Sequence, residues 1–283
     1  MQISVRPSPN YNDRAPGAIT MLVLHYTGMV SREHALARLC DPVAKVSAHY
    51  LIDEMGLVYQ MVAEEYRAWH AGVSFWAGER DINSRSIGIE LVNPGHERGY
   101  RSFLALQMRS LVELCREILP RHPIPPNRVL GHSDVAPGRK RDPGELFDWE
   151  WLAGQGIGVW PDVKSRGALP PTPSPSPQGG GEERVEPQNK KPSTEEGREL
   201  STHAAELPPP CGEGRGGGIS SYSGDILRLQ QTLARFGYDI PQTGIYGTQT
   251  RAVITAFQRH FRPAKVDGVA DAQTVAILKQ LLT

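Results

Sequence analysis

Apolar and polar positions alternate in two rhythms along this chain. Short apolar runs bounded by turn-forming residues, at Met21–His25, Tyr50–Ile52, Leu57–Met61, Ser86–Val92 and Val129–Leu130, predict β-strands. Asp53-Glu54-Met55-Gly56 reads as the turn between the second and third of them. Two other segments follow a helical period, Ser31–Cys40 and Phe103–Leu119. In the second, Leu104, Met108, Leu111, Cys115 and Ile118 recur at spacings of three and four, which gives an apolar stripe suited to packing on a sheet, and Pro120 ends it. Strands interleaved with helices predict an α/β fold, a mixed central sheet with flanking helices.

The rhythm stops after Trp160. Residues 161 to 221 hold no Phe, Tyr or Trp, and Pro-then-Gly blocks open and close the stretch around a charged middle. Such a segment has too little apolar surface to offset its ordering entropy, so it is expected to be a disordered linker. From residue 225 a helical period resumes in three stripes: Ile226, Leu229, Leu233 and Phe236; Ala252, Val253, Ala256 and Phe257; Val275, Leu278 and Leu282. These predict a small three-helix C-terminal domain in which nearly every apolar residue is core. The expected organisation is a catalytic domain over 1–162, a linker over 163–222 and a second domain over 223–283.

Composition narrows the function classes. Apolar residues make up 39% and charged residues 22% of the 283 positions, which is ordinary for a globular protein. Lys+Arg and Asp+Glu both number 31, so the charge balance argues against nucleic acid and anionic membrane as partners. Cys40, Cys115 and Cys211 are odd in number and scattered, which is neither a disulfide framework nor a cysteine metal site. The first residues lack an apolar stretch with a small-residue cleavage site, which leads to an expected cytoplasmic location. A start further upstream would instead allow the periplasm or cell envelope.

The densest chemistry lies between Gly131 and Gly144, where His132, Lys140 and two aspartates, Asp134 and Asp142, share a turn stiffened by Pro137, Gly138 and Pro143. An imidazole and a carboxylate suit Zn²⁺, and His25, at the end of an apolar strand, is the expected third ligand. Three protein ligands would leave one tetrahedral position open, the pattern of a catalytic zinc.

Three separated motifs, Leu24-His25-Tyr26-Thr27, Ser86-Ile87-Gly88-Ile89-Glu90-Leu91-Val92-Asn93 and the Gly131–Gly144 turn, together resemble the amidase-2 family of zinc-dependent N-acetylmuramoyl-L-alanine amidases over residues 18 to 150. The resemblance implies His25, His132 and Asp142 as ligands of one Zn²⁺ per chain, and so chooses Asp142 over Asp134. It further implies Glu90 and Lys140 as catalytic groups. Amide hydrolysis needs a proton shuttle and a charge opposite the developing oxyanion, roles that Glu90 and Lys140 can fill. His70 and Trp69, in a Gly-bounded loop, and Asn93 are expected substrate contacts, and His49 is expected to be either a packing residue or a support for a ligand. The pattern from Leu229 through Gly237-Tyr238, Gly244-Ile245-Tyr246-Gly247 and Asp267-Gly268 to Thr274 is similar to the three-helix peptidoglycan-binding domain, with an expected groove near Tyr246 and Thr250.

These resemblances imply cleavage of the amide between N-acetylmuramic acid and L-alanine in peptidoglycan or its muropeptide fragments. A peptidoglycan-recognition protein that binds without cutting is the alternative; loss of a metal ligand would mark it, and all three are present. A zinc peptidase acting within the stem peptide is a second rival.

Overall fold

The computed structural model describes residues 2–162 and 219–283. The expected linker therefore lies outside the described residues, apart from the start of the helix that begins at Ile219. In chain order the elements are β1 (Ile3–Val5), β2 (Tyr11–Asp13), β3 (Met21–Tyr26), α1 (Arg32–Cys40), β4 (Tyr50–Ile52), β5 (Val58–Gln60), β6 (Tyr66–Ala68), α2 (Ile82–Arg85), β7 (Ser86–Leu91), α3 (Ala105–Ile118), β8 (Val129–Gly131), α4 (His132–Val135), α5 (Trp149–Gly154), α6 (Ile219–Phe236), α7 (Thr248–Phe261) and α8 (Ala272–Gln280).

Six strands form one mixed sheet in the order β1-β5-β4-β7-β3-β8, and β2 pairs with β6 in a separate antiparallel ribbon. Only the β4–β5 pair is antiparallel in the large sheet, as expected for two strands joined by the tight turn at Asp53–Gly56. Its central strands are buried on both faces. Leu22 and Leu24 of β3, with Ile87, Ile89 and Leu91 of β7, face the stripe of α3 in one apolar cluster. Met21 and Val23 point to the opposite face. Local chemistry sets the helix starts: Ser31 accepts from the His34 amide, Asp148 from Trp151 and Asp271 from Thr274.

The opposite face is covered by the C-terminal helices. Met21, Val23, Leu130 and Val135 share a single apolar cluster with Leu233, Phe236, Val253 and Phe257. Residues 1–163 and 218–283 accordingly form one compact unit. The three expected C-terminal helices are present as α6, α7 and α8, but much of their apolar surface is completed by the sheet rather than by themselves. Strands β1, β2 and β6 were not expected; each has three residues, and the exposed Tyr11–Asp13 carries no apolar alternation to signal it.

Candidate active site

Three adjacent parallel strands deliver the site. His25 is the penultimate residue of β3, Glu90 the penultimate residue of β7, and His132 follows β8 directly. Parallel register pairs His25 with Glu90 and Leu24 with Gly131, so the first two side chains leave the same face of neighbouring strands. The carboxyl ends of parallel strands are where such sheets open crevices. Asp142 returns to this point through the stiff turn, and its carbonyl accepts from the Ser133 amide at 2.9 Å.

His25 Nδ1 and His132 Nδ1 lie 2.9 Å apart, and each is 3.0 Å from Asp142 Oδ2. All three residues are buried, and their ligand atoms converge on one point. The far sides of both rings are occupied. His132 Nε2 donates to the Ala71 carbonyl at 2.9 Å, and His25 Nε2 meets His70 Nδ1 at 3.1 Å. His70 Nε2 in turn faces the Ser86 hydroxyl at 3.3 Å, which donates to the Ile82 carbonyl. Rings that donate through Nε2 carry an unprotonated Nδ1, so both lone pairs aim at the shared point. Burial first, and then the neighbouring His132, lowers the His25 pKa to about 4, which keeps the ring neutral. Burial alone would raise Asp142, but the His132 and His25 rings bonded to it hold its carboxyl well below the usual carboxylate range. Two imidazole nitrogens and one ionised carboxylate in this disposition fit a zinc ion by donor chemistry.

Glu90 is half-buried as a residue, yet its Oε2 is buried without a hydrogen-bond partner. Burial, and then the charge of Asp142, raises its carboxyl to about 8, against the opposing pull of Lys140. A buried carboxyl oxygen without a partner and with a raised proton affinity is a mark of functional rather than structural positions. Lys140 and Glu90 line the same cleft, about 920 Å³ in volume, together with His25, His132 and Asp142.

The remaining expected residues separate. Trp69 lines the cleft, its indole nitrogen donating to Asn12 Oδ1 at 2.6 Å. His70 borders the cleft but is buried, with both ring nitrogens engaged by His25 and Ser86, so its geometry is that of a support for His25. Its ring lies against Gly88, where a Cβ would come within 2.4 Å of it, so β7 needs a glycine there. Asn93 is buried and ties the following loop, donating to the Arg101 carbonyl and accepting from the Gly95 amide. Its side chain is thus engaged by the backbone of its own loop. His49 is fully buried: its Nδ1 accepts from the Gly88 amide and its Nε2 meets the Tyr66 carbonyl and Arg14. Its ring also packs edge-on against His70 at 5.6 Å, so it braces β7 and the ring behind His25. Sequence reasoning missed the Ala71 carbonyl, which no residue type could have signalled, and Ser86 behind His70.

Residues 15–145 match the family described as N-acetylmuramoyl-L-alanine amidase, and residues 222–278 match a peptidoglycan binding domain. The chain is 34% identical to the N-acetylmuramoyl-L-alanine amidase AmiD of Escherichia coli K12, over 93% of this chain and 82% of that protein. It is 36% identical to the 1,6-anhydro-N-acetylmuramyl-L-alanine amidase AmpD of Haemophilus influenzae, over 50% of this chain and 86% of the relative. Among solved structures, the E. coli AmiD complex with the substrate anhydro-N-acetylmuramic acid-L-Ala-D-gamma-Glu-L-Lys superposes with a TM-score of 0.68 at 33% identity, covering 95% of this chain and 90% of that one.

Proposed function

The chain belongs to the N-acetylmuramoyl-L-alanine amidase family, and from that premise we propose that it is a zinc hydrolase of the bond joining N-acetylmuramic acid to L-alanine in peptidoglycan and muropeptides. The observation that carries this reading is the convergence of His25, His132 and Asp142 beside the unpartnered Glu90 carboxyl. The three ligands would hold the ion, which when bound supplies Lewis acidity at neutral pH. Glu90 takes the proton of the attacking water and passes it to the departing nitrogen of L-alanine. Lys140 sets a positive charge where the amide carbonyl becomes anionic. Trp69 is the proposed substrate contact on the cleft wall.

The substrate named for the AmiD complex supports soluble 1,6-anhydro-muropeptides as substrates here. The match over residues 222–278 supports binding to the polymer as well. No helix among the described residues is long and apolar enough to cross a membrane. The cytoplasmic location expected above stands as a proposal, checked by cell fractionation with an antibody to the chain.

Incubating the zinc-loaded protein with an anhydro-muropeptide, with products identified by mass, tests the reading. Release of the free amino sugar and a peptide beginning with L-alanine is expected. Binding without cleavage would make the chain a recognition protein, and cleavage inside the peptide would make it a peptidase.

A further inference from the structure

Asp134 lies two residues beyond the ligand His132, and the proposed reaction gives it no task. It is 1% exposed, and three donors converge on its carboxylate. Oδ2 accepts from the Gly131 amide at 2.8 Å and from His260 Nδ1 at 2.7 Å, and Oδ1 accepts from the Tyr238 hydroxyl at 2.8 Å. Two of these donors come from the C-terminal region, more than 100 residues away in sequence. We propose that Tyr238 and His260 position the metal ligand His132 through Asp134, which makes the C-terminal region a structural part of the metal site.

The mechanical path is short. α4 has four residues, too few to sustain itself, so its geometry is dictated by what grips its ends. Asp134 holds the Gly131 amide at its start, and the Val135 carbonyl accepts from the Phe75 amide at its end. The two C-terminal donors are themselves fixed. His260 stacks on the Trp149 ring at 3.7 Å and 21°, and Tyr238 packs edge-on against Trp76 at 4.9 Å. Trp149 lies beside Gly131, so the stacked pair also backs the strand from which His132 emerges. A buried carboxylate that loses one of three donors must turn toward another partner or admit water. Such a turn at Asp134 rotates the first turn of α4 and with it the His132 imidazole, away from the point shared with His25 and Asp142.

This inference rests on the zinc reading, and the test separates the two. Full-length wild type, Tyr238→Phe, His260→Gln and a packing control, Leu278→Ala, would be compared in three measurements. These are the zinc dissociation constant by competition with a chromogenic chelator, the visible spectrum with Co²⁺ in place of zinc, and kcat and KM on a soluble muropeptide. Leu278, on α8, is buried in the same apolar cluster and bears neither a ring nor a polar group to engage Tyr238, His260 or Asp134. Tyr238→Phe and His260→Gln are expected to weaken zinc binding about 10-fold, to change the Co²⁺ spectrum and to lower kcat with KM held. Leu278→Ala is expected to lower the melting temperature alone. Wild-type zinc affinity and Co²⁺ spectrum in both polar variants would overturn the proposal, as would an equal loss of affinity in Leu278→Ala. A wild-type chain that takes up no zinc would overturn both readings.

Discussion

Glu90 stands opposite His25 in the parallel register of β7 and β3, so a carboxyl group and an imidazole leave the sheet side by side. The arrangement follows from strand alternation. Leu24, Ile89 and Leu91 face the apolar cluster under α3, which obliges His25 and Glu90 to face the other way. There burial, and then the charge of Asp142, raise its proton affinity against the opposing pull of Lys140.

Replacing Glu90 with Gln preserves its volume and polarity but removes its basicity. Turnover on a soluble muropeptide is expected to fall by roughly 10²- to 10⁴-fold while zinc content matches that of the wild type. Near-normal turnover would remove Glu90 from the mechanism.

The same carboxyl gives the zinc-free protein a pH signature. Its folded pKa of about 8 lies above the ordinary value of about 4.3, so the folded chain binds this proton more tightly than the unfolded chain does. Its contribution to stability is therefore present at low pH and is lost as pH rises from about 4 to 8. The melting temperature of the zinc-free wild type should fall relative to that of zinc-free Glu90→Gln across this window. Parallel curves for the two proteins would show that the group is not buried as described.

His132→Ala removes one of the three proposed ligands, while the Ala71 carbonyl keeps Arg139 Nη2 as a donor at 2.7 Å. Zinc content by atomic absorption and amidase activity should fall together, while the far-ultraviolet circular dichroism stays close to that of the wild type. Retained activity in a chelator-treated, zinc-free preparation would refute the metal assignment.

Much of this site was legible in the sequence because its residues sit at positions where strand periodicity is strong. His25 closes the apolar run from Met21, and Glu90 interrupts the run from Ile87, so each is conspicuous as the charged or polar residue of a buried strand. Asp142 was chosen over Asp134 by family likeness alone, and the structure supplies the physical reason: Asp134 is occupied by Gly131, Tyr238 and His260. The surroundings of His70 and Asn93 were not legible, for a common reason. A loop sequence shows that a polar side chain is present but not whether it turns toward the cleft or toward a neighbouring ring or carbonyl. The union of the C-terminal helices with the sheet was equally hidden, since an apolar stripe looks the same whether its partner lies in its own helical domain or across the fold.

Glu64 provides a second titration, away from the His25, His132 and Asp142 cluster. Burial alone would raise its carboxyl, but hydrogen bonds from Arg121, His122 and Tyr50 outweigh burial and hold it at about 2. A depressed carboxylate pKa contributes stability that is present above the unfolded value of about 4.3 and lost as pH falls toward 2. Allowing for solvent screening, the contribution is about 1–2 kcal/mol. Glu64→Gln should therefore lower the melting temperature at pH 7 and have little effect near pH 2. An equal effect at both values would mean that the charge contributes nothing.

A chain ending at Pro161 tests how far the catalytic region stands alone. The sequence pattern, with its long Pro- and Gly-rich interval, leads one to expect that such a chain folds unaided. The structure argues otherwise, because truncation uncovers Met21, Val23, Leu130 and Val135, each at most 1% exposed in the full fold. At about 1.5–3 kcal/mol for each large side chain, the loss is on the order of 6–12 kcal/mol, comparable with the whole stability of an ordinary domain. It also strips Asp134 of Tyr238 and His260. The shortened chain is expected to be largely unfolded or aggregated at 25 °C and to take up little zinc, as read by near-ultraviolet circular dichroism and metal analysis. A soluble, zinc-loaded product with the melting temperature of the full chain would show that the C-terminal helices add nothing to the stability of the sheet they cover.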